Sequence, residues 1–169
     1  MGAKLRVGVA ATAVLLTTVT SSAMATTGTA RSLAGEPDAD IELGLQSGAV
    51  VTPEGTWYAH GGPLRFAVDV TNSGSSEENG VEVAIRVPDT VDLRADADGW
   101  NCVDMDGGVS CRSEVLAVPG EGWPELQAEI TYSEYTQGSI FVGARPGLNG
   151  VPEAGENQLE QRILLDTST

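Results

Sequence analysis

The stretch Leu64-Arg65-Phe66-Ala67-Val68-Asp69-Val70-Thr71-Asn72-Ser73-Gly74-Ser75-Ser76, with Val81-Glu82-Val83-Ala84-Ile85-Arg86-Val87 after it, decides the fold. Apolar residues occupy every second position in both runs: Leu64, Phe66, Val68 and Val70, then Val81, Val83, Ile85 and Val87. A period of two sends one set of side chains inward and the other into water, as in a half-buried strand. Asn72 to Ser76 is turn chemistry, and Pro88-Asp89 stops the second run. The passage reads as two strands joined by a loop.

The same alternation extends in both directions. Upstream, Ile41, Leu43 and Leu45 alternate with Asp40, Glu42 and Gly44. Downstream, strands are expected at 109–112, 125–132, 139–144 and 158–165. Turn signals punctuate them at Pro119-Gly120, Arg145-Pro146-Gly147 and Asn149-Gly150. No long helical period and no internal repeat interrupt the pattern. The expected fold is all-β: an Ig-like antiparallel β-sandwich of seven to eight strands, with two alternating faces buried against each other. It forms one domain over residues 39–166.

Residues 1–25 have a different character. Lys4 and Arg6 precede an apolar run from Val7 to Leu16, and Ala23-Met24-Ala25 supplies small residues at an A-x-A site. This order reads as a secretory signal peptide cleaved between Ala25 and Thr26. The apolar run is far shorter than the roughly 20 residues of a spanning helix. Residues 26–38 are small and polar and read as a flexible leader. No apolar tail or basic cluster follows Leu165, so the expected product is secreted and extracellular, without an anchor.

The formal net charge is −15, and cleavage makes it two units more negative by removing Arg6 and Lys4, the only lysine. So acidic a chain repels phosphates and anionic lipid heads, which excludes nucleic acid and, after cleavage, membrane as partners.

Cys102 and Cys111 are the only cysteines, and an exported chain pairs them most simply with each other. Asp106-Gly107-Gly108 between them is a turn former, so a disulfide hairpin is expected. Trp100, beside Cys102, is expected to pack over the bridge.

These passages together resemble the DUF11-type domain, an Ig-like sandwich of bacterial secreted and surface proteins, and come close to CARDB-type modules. The resemblance rests on the acidic first strand Ala39 to Leu43 and on Phe66 to Ser75, ending in T-N-x-G. It also rests on Val81 to Pro88, on the hairpin Gly99-Trp100-Asn101-Cys102 with Val109-Ser110-Cys111, and on the acidic turn Glu153 to Asn157. It implies a structural or adhesive module without catalytic residues.

The residues themselves support no enzyme. His60, the only histidine, sits in Trp57-Tyr58-Ala59-His60-Gly61-Gly62 and reads as a polar loop residue. No nucleophile motif or phosphate-binding glycine loop is present, and no cofactor or metal is expected. The expected role is non-enzymatic: extracellular protein interaction or cell-envelope architecture, the partner being an extracellular protein or a cell-wall component. The alternative is a soluble calcium- or carbohydrate-binding domain. Asp96, Asp98, Asn101, Asp104 and Asp106 offer oxygens of the kind calcium takes. Trp57, Tyr58 and Trp123 are candidates for an exposed aromatic patch.

Overall fold

A computed structural model describes residues 38–147 and 157–167. The strands are β1 (Ala39–Ser47), β2 (Ala49–Val51), β3 (Trp57–His60), β4 (Leu64–Asn72), β5 (Glu78–Arg86), β6 (Val91–Asp96), β7 (Trp100–Met105), β8 (Gly108–Ala117), β9 (Leu126–Tyr132), β10 (Thr136–Pro146) and β11 (Gln158–Asp166). The expected cleavage site at Ala25 and Thr26, nearly all of the 26–38 leader, and residues 153–156 of the acidic turn lie outside the described residues.

The strands form two sheets packed as a sandwich. One has four strands in the order β1-β4-β9-β6, and the other seven in the order β2-β3-β11-β10-β5-β8-β7. Every pairing is antiparallel except β3 on β11, which run parallel. The all-β sandwich expected from alternation is therefore present. The described strands outnumber the expected seven to eight because β2, β3, β6 and β7 are short edge-side elements.

Alternation places the core. Ile41, Phe66, Val68, Leu126 and Ile130 face inward from the smaller sheet. Val83, Ile85, Ile140, Val142 and Ile163 meet them from the larger one, all at most 1% exposed. Each such side chain contributes roughly 1.5–3 kcal/mol by leaving water. Trp57 joins this core at 1% exposure, its ring 5.7 Å from that of Phe66.

Gly48 carries the chain from one sheet to the other between β1 and β2. Its φ is +85°, and a Cβ there would collide with the Pro63 carbonyl oxygen. Only glycine combines that backbone with so close an approach.

Asn72 ends β4 and is fully buried. Its side-chain amide donates to the carbonyls of Ser76 and Ala117, each at 2.9 Å, and its Oδ1 accepts from the Gly74 N–H at 3.0 Å. The T-N-x-G turn of the sequence is thus a pin that joins the end of β4, the loop before β5 and the end of β8.

Candidate functional site

Cys102 and Cys111 face each other across β7 and β8, and a disulfide joins these adjacent strands. The two-residue turn Asp106-Gly107 closes the hairpin, with Gly107 at φ +70°. Such a bond is consistent with an oxidising, extracytoplasmic setting. Trp100 lies on the same face as Cys102, two residues along, and its indole N–H donates to the Pro124 carbonyl at 2.8 Å.

Of the oxygen-bearing residues near this hairpin, Asp104 and Asp106 line one groove, with Asp89 and Asp92, and the others do not join them. Asp98 precedes β7 and Asp106 follows it, so a six-residue strand of about 20 Å holds them apart. Asn101 and Asp104 point to opposite faces of β7, and Asp96 belongs to β6 in the other sheet. Among the described residues no three His, Cys, Asp or Glu side chains gather as a metal site.

The expected aromatic patch is also absent from where it was sought. Trp57 lies in β3, not in a loop, because Trp57 and Ala59 alternate inward with Tyr58 and His60 outward. Trp123 is 5% exposed, and its indole donates to the Val115 carbonyl at 2.9 Å. Both rings are core. Tyr58 is the outward member, donating to Asp166 Oδ2 at 3.2 Å. Partial burial, with the Asp166 hydrogen bond added, pushes its phenol pKa up.

An aromatic that the sequence reading passed over stands on the surface instead. Phe141, in the middle of β10, is 42% exposed on the outer face of the seven-stranded sheet. It is paired with Arg86 on β5 and with Glu160 on β11. Ala84, Gly143 and Gln158 border a shallow depression beside it. The signal was Phe141 itself: in Ile140-Phe141-Val142 a large apolar residue occupies the outward phase.

A groove opens along the same face next to Phe141. Its floor is the β10–β11 ladder with Gln137, Ser139, Arg162 and Leu164, and its wall is the β2–β3 turn with Thr52, Glu54 and Thr56. The cavity volume is about 700 Å³. Ser139 donates to Glu160 Oε1 at 2.6 Å. Buried Gln161 holds the wall to the floor through the Gly55 carbonyl at 2.8 Å.

Charge divides between the two outer faces. Four of the six described arginines, Arg86, Arg112, Arg145 and Arg162, project from the seven-stranded sheet, interspersed with Glu82, Glu114 and Glu160. The four-stranded sheet presents Asp40, Glu42, Asp69, Asp92, Asp96 and Glu129, with Arg65 and Arg94. There Glu42 and Asp69 stand directly opposite each other. Desolvation first, then Glu125 and Glu42, raises the Asp69 pKa.

No protein-family model matches the chain, and no curated protein matches it. Among solved structures, the fold is similar to that of AvmM, which catalyses macrocyclization in alchivemycin A biosynthesis. That likeness has 12% identity and a TM-score of 0.42, over 79% of this chain and 92% of that one. It is also similar to part of the GH20 exo-β-N-acetylglucosaminidase of Vibrio harveyi. There the identity is 8% and the TM-score 0.38, over 78% of this chain and 19% of the enzyme. These likenesses concern the two-sheet sandwich and give no family.

Proposed function

We propose that the protein is a secreted, non-enzymatic module that makes an extracellular contact through the outer face of its seven-stranded sheet. The observation that carries this reading is Phe141, a large ring left 42% exposed at the centre of a sheet face between Arg86 and Glu160. Phenylalanine and arginine are among the side chains enriched at contact surfaces over the rest of a protein's exterior. The signal-like residues 1–25, the disulfide and the resemblance to DUF11-type Ig-like modules support an extracytoplasmic place for it.

The test compares the purified protein with Phe141→Ala in capture experiments on culture supernatant and isolated cell wall. Loss of the captured component with Phe141→Ala, but not with Thr131→Ala on the opposite face, is the expected result. Capture unchanged by Phe141→Ala refutes this face as the contact. The groove beside Phe141 favours a second reading, carbohydrate binding, because hydroxyl and amide side chains line it.

A further inference from the structure

We infer that this outer face binds a polysaccharide that carries carboxylates, with Phe141 against a sugar ring and Arg162 and Arg86 taking acid groups on either side. The inference rests on the reading of this face as the contact surface and names its ligand class. Arg86 lies across the ladder from Phe141 on one side, and Arg162 lies opposite Ser139 on the other. Two strand spacings and a two-residue offset put their backbones about 12 Å apart.

Neither guanidinium has an ion-pair partner among the described residues. In so acidic a chain, two unpaired arginines on one face are cations held available, and a guanidinium grips a carboxylate through two parallel hydrogen bonds. Beside Arg162 the groove supplies Thr52, Thr56 and Gln137, which can donate to and accept from sugar hydroxyls, and Ser139, whose proton goes to Glu160 and whose oxygen can accept. Its volume of about 700 Å³ is that of a small-molecule site, and Ser139 in its lining stands two residues from Phe141 on the same face of β10. Phe141 offers the flat apolar ring against which the C–H face of a pyranose packs, with Ala84 and Gly143 leaving room beside it. Glu54 and Glu160 stand in the same track. They accept hydrogen bonds from hydroxyls and repel a densely charged strand, so acid groups spaced by neutral hydroxyls suit the face better than phosphate or sulfate polymers.

Affinity electrophoresis and titration calorimetry with polygalacturonate and hyaluronate test this, with fully methyl-esterified polygalacturonate as the neutral control. Binding to the acidic chains and not to the ester is expected. It should weaken about ten-fold in Arg162→Gln and in Arg86→Gln, and fall as NaCl rises from about 50 to about 500 mM. Phe141→Ala should abolish it, while Arg94→Gln on the opposite face leaves it unchanged. Unchanged melting curves of the variants establish that they fold. Binding to neither acidic chain overturns the inference, and so does binding unaffected by both arginine variants. Equal binding to the ester overturns the carboxylate but retains a carbohydrate. Absence of all glycan binding, with Phe141-dependent capture of a protein, overturns the ligand class and leaves the contact surface standing.

Discussion

Asn72 does more than its place in a turn suggests. Its fully buried side chain makes three hydrogen bonds, two within its own turn, with Gly74 and Ser76, and one to Ala117 at the end of β8. Removing it leaves the buried Ala117 carbonyl without its side-chain donor, whereas the Gly74 N–H also reaches the Asp38 carbonyl and Ser76 is exposed. A buried group left unpaired costs about 1–3 kcal/mol. Asn72→Ala should therefore lose about 1–3 kcal/mol in urea unfolding, whereas Ser73→Ala, beside it and exposed, should lose almost nothing. The sequence shows the turn but not the pin, because the partner carbonyl of Ala117 lies 45 residues away. Asp69 is the electrostatic counterpart. Its pKa is raised in the fold, so the native state holds the proton more tightly than the unfolded chain does. Its contribution is fully present below the unfolded pKa and is lost as pH rises through the folded one. At neutral pH the ionised Asp69 is then a liability beside Glu42 and Glu125. Asp69→Asn should raise the melting temperature at pH 7, and that gain should shrink toward about pH 3.5, where aspartate takes up its proton.

Among the elements, the β7–β8 hairpin depends most on a covalent bond. β7 is an edge strand held to the sheet by β8 alone, with Val103 59% exposed and Asp104 turned out at its end. Closing a loop of about ten residues removes roughly 2.5–3 kcal/mol of unfolded-chain entropy. The double variant Cys102→Ser/Cys111→Ser should lose at most that amount in denaturant unfolding, and hydrogen exchange should rise first in β7. This hairpin was legible because its Cys-to-Cys spacing and its Asp-Gly turn are both local. β3 was not. Four residues are too few for a period of two to stand out, and Gly61-Gly62 beside them gives loop chemistry. Its partner is β11, so only tertiary pairing makes it a strand. β6 had a readable signal in Val91, Leu93 and Ala95 alternating with Asp92, Arg94 and Asp96, although these apolar residues are only half buried. The candidate surface was hidden for another reason. Phe141, Arg86 and Arg162 belong to three strands and meet only through cross-strand register.

For the whole molecule, the order of strands in the larger sheet has a consequence for how the chain comes together. β11 is the last strand in sequence, yet it lies inside the sheet, between β3 and β10. The bond from Gln161 to Gly55 spans 106 residues. Contacts this distant must meet the cost of loop closure before they repay it, and folding slows accordingly. In a chain delivered amino-terminus first, β2 and β3 emerge long before the only strand that can attach them to the rest. The β4–β9 pair and the β5–β8 pair can assemble in the meantime, each from strands already present. The late arrival of β11 then seats β3, raises the turn that forms one wall of the groove, and gives Arg162 its place beside Phe141. The groove of the proposed binding surface is thus the last part of it to exist: β5 and β10 can already set Arg86 beside Phe141, but a chain still in transit has neither the groove wall in place nor Arg162.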